Sequence, residues 1–138
     1  MQPELLFEIT IRVGDTHSIT AAPDGDRTIA YIAGGKFEGP RLKGAVLPGG
    51  GDWFLLRPDG VGCLDVRLLM RTDDGELIYM TYCGRAEMPQ QRGLPLKLRT
   101  APTFVASTAG KYAWINSIQA VAEGETIKGG VIYKVYRA

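Results

Sequence analysis

Val46–Gly84 reads VLPGGGDWFLLRPDGVGCLDVRLLMRTDDGELIYMTYCG, three alternating apolar runs joined by two turns of nearly the same chemistry. The turns are Arg57-Pro58-Asp59-Gly60 and Thr72-Asp73-Asp74-Gly75. Pro or Asp at the first central position and Asp at the second suit a type I turn. The Gly that follows supplies the left-handed residue of a bulge, which makes each loop a three-residue hairpin connection. Arg57 then pairs with Val61, and Thr72 with Glu76. Counting back sets Trp53 opposite Asp65, Asp65 opposite Cys83, Arg67 opposite Thr81 and Leu69 opposite Tyr79. One face of this sheet therefore carries Trp53, Asp65, Arg67, Tyr79 and Cys83. The other is uniformly apolar and holds Leu64, Val66, Leu68, Met70, Ile78 and Met80.

Outward from this core the chain keeps punctuating itself. Leu6–Val13 alternates as a first strand, ended by Gly14-Asp15. His17–Ala21 is a second short run, and Arg27–Phe37 a third, bent at Gly34-Gly35. Leu42–Leu47 makes a fourth. Arg85–Pro95 is a long loop and the best entrance or lid candidate. Leu98–Ala106 and Lys111–Val121 read as another hairpin around Thr108-Ala109-Gly110, with Phe104 facing Trp114. Gly130–Arg137 is the last strand. About ten short strands and almost no helical period predict an all-β, single-domain chain over residues 1–138, folded as one closed antiparallel barrel of mostly up-and-down hairpins.

Composition narrows the partners. The chain has 138 residues, 45% hydrophobic, 22% charged, with a net charge of +1. That balance offers neither the basic patch that nucleic acid requires nor an acidic-membrane footprint. There is no apolar run of about 18 residues, and Met1-Gln2-Pro3-Glu4 lacks a basic signal-peptide start, so a cytoplasmic protein is the expectation. His17 is the sole histidine, which argues against a multi-histidine metal site, and no cofactor or metal is expected. Cys63 and Cys83 fall on neighbouring strands as diagonal neighbours about 7–8 Å apart, too far for a disulfide.

Three groups carry candidate chemistry. Trp53, Asp65, Arg67 and Tyr79 share a face, and an Asp-Arg pair two apart on a strand can hold a planar acidic or enolic ligand between aromatic walls. The same pattern also fits a solvated outer face with a weak ion pair, and periodicity favours that, because apolar faces normally point inward. Asn116 stands amid Phe104, Tyr112 and Trp114, either in a site or as a structural hydrogen bond at the rim. Glu38 follows Phe37 at a strand junction, pointing into a barrel mouth or lying in a surface turn.

The segments Gly35-Lys36-Phe37-Glu38-Gly39-Pro40, Val46-Leu47-Pro48-Gly49-Gly50, Asp52-Trp53, Leu64-Asp65-Val66-Arg67, Arg99-Thr100-Ala101-Pro102 and Tyr112-Ala113-Trp114-Ile115-Asn116 occur here in order. In these the chain resembles the bacterial and fungal family known as domain of unknown function 3237, from about Glu8 to Tyr136. The resemblance implies a small closed barrel, calycin-like or allene-oxide-cyclase-like, of a kind that holds apolar or aromatic small molecules without a metal. It implies a site drawn from Asp65, Arg67 and Glu38 as catalytic groups. Trp53, Tyr79, Arg99, Trp114 and Asn116 would bind the ligand. The expected function is that of a small-molecule-binding barrel, either a cofactor-independent isomerase, cyclase or lyase on an aromatic or carbonyl-bearing compound, or a non-catalytic binder or structural homo-oligomer. If Asp65 and Arg67 line the cavity with Asn116 or Trp114 opposite, then Leu64, Val66, Leu68 and Met70 face outward and need a partner subunit.

Overall fold

Both hairpin turns close as their chemistry dictates. In the computed structural model, which describes residues 3–89, 91 and 93–138, the Arg57 N–H donates to Val61 O (3.0 Å) and the Thr72 N–H to Glu76 O (2.8 Å). Gly60 and Gly75 take φ of +86° and +93°, the left-handed conformation that a side chain resists. Asp65 meets Cys83, Arg67 meets Thr81 and Leu69 meets Tyr79. The two thiols are free.

The strands are β1 (Glu4–Ala22), β2 (Gly25–Glu38), β3 (Lys43–Val46), β4 (Gly51–Leu56), β5 (Gly62–Thr72), β6 (Leu77–Glu87), β7 (Lys97–Thr100), β8 (Thr103–Ala106), β9 (Ala120–Ile127) and β10 (Gly130–Arg137). β1, β2, β4, β5, β6, β7, β9 and β10 pair in turn, and β10 returns to β1, closing an antiparallel ring of eight. β3 lies between β2 and β5 below β4, so two successive strands share one slot. The connections at 23–24, 57–61 and 128–129 gather at one end, the mouth of the barrel. At the other end a 3-10 turn, Ala113–Ser117, makes a floor with Ile115 buried. Phe7 packs edge-on against Phe37 and Phe104 just above it, with ring centroids 5.9 and 5.8 Å away.

Three expectations are corrected. The Gly14-Asp15 break does not end a strand. β1 runs through it to Ala22, absorbing the irregularity as register shifts against β2 between Arg12 and Thr16. Beyond Arg12 this strand has β2 on one side only, because β10 stops pairing there, and Gly14 to Ala21 are exposed throughout. The hairpin around Thr108-Ala109-Gly110 does not form. Pro102 splits that run, β7 pairs with β9 and β8 with β6, and Trp114 enters the 3-10 turn. Asn116 takes the place of the missing strand: its Oδ1 accepts the Ala106 N–H (2.7 Å) and its Nδ2 donates to Ala106 O (3.0 Å). Replacing Asn116 with alanine should cost about 1 kcal/mol in a urea melt and loosen β8. A variant as stable as wild type would show that water serves that edge equally well.

The third correction concerns the faces. Leu64, Val66, Leu68 and Met70 are buried inside the ring with Ile78, Met80 and Tyr82, while Asp65 and Arg67 are exposed on its outer wall. Those four apolar side chains are core, not a subunit interface, since burying them within the ring removes their apolar surface from water with no partner needed.

Candidate functional site

The residues expected to form one cavity divide among separate surfaces. Asp65, Arg67 and Tyr79 share an open outer groove of about 490 Å³ with Thr81, Cys83 and Thr103. Half-buried Trp53 stands beside it, with the Arg67 guanidinium 5.6 Å from its ring. Trp114 is at the floor under Arg41, whose guanidinium sits 3.7 Å from the ring. Asn116 is spent on Ala106, so neither supplies an opposite wall. Glu38 lies in a second outer groove with Lys36, Lys43 and Asp73. Arg99 is exposed and pairs with Glu123 at 3.3 Å. The cause is common to most of them: on strands that bury one parity, each of these side chains has the other. Two further outer hollows, about 570 and 990 Å³, run over the charged wall of β7 and β9; Tyr133 borders the first, and neither includes Asp52.

The interior carries one carboxylate that sequence reasoning passed over. Asp52 follows three glycines and reads as the end of a turn, yet it already belongs to β4. It lies opposite Ala30 on β2 and Val66 on β5, and Val66 lies opposite Tyr82. Facing residues share a side, so Ala30, Asp52, Val66 and Tyr82 form one inward row. The available signal was parity: Asp52 keeps step with Phe54, which packs against the core.

The strand pairing makes room for this acid. β4 and β5 pair at Asp52–Val66 and again at Leu55–Cys63, skipping Trp53 and Phe54. In the gap the Asp65 N–H donates to Asp52 Oδ1 (3.1 Å), and Trp53 O accepts from Arg27 Nη1 (3.3 Å). Burial pushes the Asp52 carboxyl up to about 6; the Asp65 N–H opposes the shift and the Asp65 charge adds to it. The charge of Asp52 reaches two phenols, Tyr82 and Tyr133, which burial holds protonated well above their ordinary value. Their rings meet edge to face at 5.3 Å. The Tyr133 hydroxyl is buried near that of Tyr82 but closes no hydrogen bond of full geometry among the described residues, a costly state for a polar group unless something else satisfies it.

Two glycines shape this end of the barrel. A Cβ on Gly124 would meet the Tyr133 ring at 2.5 Å, and one on Gly62 would meet the Phe54 ring at 2.7 Å. Asp52 and Ala30 are half-buried, and so are Thr28, Phe54, Thr126 and Val131 between them and the mouth, so the inward lining grows more open toward the rim. Apart from Asp52 these inward groups are uncharged. The residues described include no cluster of three or more metal-ligating side chains, and no helix is long and apolar enough to cross a membrane.

The comparison with known proteins settles the family. The family model for Protein of unknown function (DUF3237) matches residues 1–138. The chain belongs to the DUF3237 family. A UPF0311 protein of Clostridium acetobutylicum is 33% identical, with 99% of this chain and 94% of that one covered. Among solved structures, a beta-barrel like protein from Acinetobacter baumannii AYE superposes with a TM-score of 0.90 at 30% identity, covering 99% of this chain and 94% of that one. A structure described as an enzyme from Penicillium herquei superposes with a TM-score of 0.77, covering 99% and 94%. At 22% identity that likeness speaks for the fold alone.

Proposed function

We propose that this chain binds an uncharged, largely apolar small molecule through the mouth of its barrel and moves a proton on it with Asp52. The observation that carries the reading is an inward carboxyl whose charge reaches a buried Tyr133 hydroxyl left without a full hydrogen bond among the described residues. A carboxyl poised near neutral pH can both take and return a proton, which is what general acid–base work needs. The phenols stay protonated and can donate to an oxygen on which charge develops. A carbonyl compound with an acidic neighbouring C–H, or a phenol, fits these groups. Proton removal by Asp52 would break the C–H bond to give an enol or enolate held by Tyr133, and return of the proton from Asp52 to another atom of the ligand would complete an isomerisation. The uncharged lining supports a neutral ligand, because a buried charge without a partner is costly. The side chains of Arg67 and Glu38, on the outer wall, have no part in this step, and Asp65 enters it only by tuning Asp52 through its N–H and its charge.

The test needs no natural substrate. Incubated in D₂O with an aryl ketone such as β-tetralone, the protein should speed deuterium uptake next to the carbonyl above the protein-free rate. The rate should climb as pH passes about 6, where Asp52 ionises. Asp52→Asn should lower the rate by about 10²-fold or more, and Tyr133→Phe by a smaller factor. Uptake that Asp52→Asn leaves unchanged would refute the assignment.

A further inference from the structure

The outer wall is divided in two. Over β7, β9, β10 and the lower part of β1 it is charged, and its charges are matched: Lys97 meets Glu125 at 2.6 Å and Arg99 meets Glu123 at 3.3 Å, while Glu8 lies opposite Lys134. Over β2, β4, β5, β6 and β8 the wall still carries charges, among them Asp65, Arg67, Arg71 and Arg85, but it also sets apolar and aromatic side chains next to one another across strands. Ile29 lies opposite Trp53, Leu69 opposite Tyr79 and Tyr79 opposite Val105, making cross-strand rows on the solvent side. Tyr79 is 40% exposed and Val105 62%. Solvated sheet faces normally carry polar side chains, so a multi-strand apolar stretch on the outside marks an interaction surface.

At the centre of this stretch stand Asp65 and Arg67. The ion pairs among the described residues include neither of them. They lie two residues apart on one strand, about 7 Å along it, too far to satisfy each other directly. Opposite charges at that spacing are self-complementary. A two-fold axis passing between them brings each Asp65 to the Arg67 of the other copy, twice over.

We infer that this wall is an isologous contact between two copies of the chain, with Trp53 and Tyr79 as its aromatic anchors and Asp65 paired with the second copy's Arg67. Aromatic residues and arginine are the side chains that most often carry such contacts. The reciprocal charge pair selects an identical partner over an unrelated protein. The inference does not rest on the role of Asp52: the surface lies outside the ring and the acid within it.

Light scattering on the eluting protein at about 50 µM should give twice the 15.0 kDa chain mass. Arg67→Asp brings four carboxylates together at the axis, and Tyr79→Lys puts a charge on an apolar anchor. Each should weaken the dimer at least tenfold. The double exchange Asp65→Arg with Arg67→Asp restores the reciprocal pairs and should restore the dimer. These are exposed positions, and circular dichroism will confirm that each variant is folded. A monomeric wild-type chain, or a trimer, which has no two-fold contact, would overturn the inference. So would a dimer indifferent to Arg67→Asp, or a double exchange that fails to restore association.

Discussion

Asp52→Asn chains are expected to be more stable than wild type at pH 8 and equally stable at pH 3. The ordinary aspartate value is 3.8, and burial inside the barrel raises that of Asp52 to about 6. Below 3.8 the carboxyl is protonated whether the chain is folded or not, and nothing is lost. Between the two values only the unfolded chain gives up the proton, so folding is progressively penalised as pH rises. Above about 6 both states are ionised, and the penalty is complete at about 3 kcal/mol. The amide of asparagine keeps the acceptor for the Asp65 N–H and carries no charge. Its stability should therefore stay level across this window in urea melts. A wild-type curve equally level from pH 4 to 7 would place Asp52 in water. Two exposed carboxylates run the other way at lower pH. Arg57 holds Asp59 down to about 2, and the Thr72 and Tyr112 hydroxyls do the same for Asp74. What they stabilise is kept above the unfolded value and lost as pH falls toward 2. An acid that weakens its own fold at working pH is a familiar mark of a functional group.

Phe7→Ala should be the most damaging single truncation, at about 3–5 kcal/mol. Phe7 is fully buried, and it is the ring shared by two edge-on contacts, with Phe37 and with Phe104. The register against β10 shifts between Leu5 and Phe7, which turns the adjacent Leu6 and Phe7 both toward the core. Removing the ring leaves a cavity that neighbouring strands cannot close, because each is held by its own ladder. Thermal unfolding should drop by roughly 3–5 °C for each kcal/mol lost in a chain of this size. Phe7→Leu, which keeps most of the volume, should lose well under half as much. A loss below about 1 kcal/mol for Phe7→Ala would mean that the floor is loosely filled.

The central hairpins were legible because their turns are specific. Pro58-Asp59-Gly60 and Asp73-Asp74-Gly75 admit few conformations, and each fixes the register of the strands beside it. Parity then follows, but parity does not say which side is inside. Asp65 and Arg67 resemble a binding pair, and that resemblance outweighed the periodicity, which already favoured an inward Leu64 and Val66 and which the closed ring bears out. Asp52 was hidden for a local reason: three preceding glycines make it look like loop. Trp53 and Asp65 have the expected offset, yet the ladder opens there because the Asp52 side chain takes the hydrogen bond. The failed hairpin near Gly110 is instructive in the same way. Its apolar alternation is real, but Pro102 cannot donate to a ladder and Asn116 satisfies the edge with its amide. The pairings of β1 with β10 and β7 with β9 join residues far apart in sequence, where no turn announces them.

The arm formed by β1 beyond Arg12 and the start of β2 has a practical use. Its β1 half is laddered to β2 alone, whereas its β2 half is also laddered to β4 from Asp26 onward, and the exposed turn at Pro23-Asp24 is held locally by the Asp24–Arg27 pair at 2.8 Å. Foreign sequence inserted between Pro23 and Asp24, both exposed, would leave the buried Gly25 beside Leu56 in place. Each doubling of such an insert adds only about 0.6 kcal/mol of closure cost. The barrel thus offers a natural display point, a stalk on which a peptide epitope or a small guest domain could be carried without unpicking the ring beneath it.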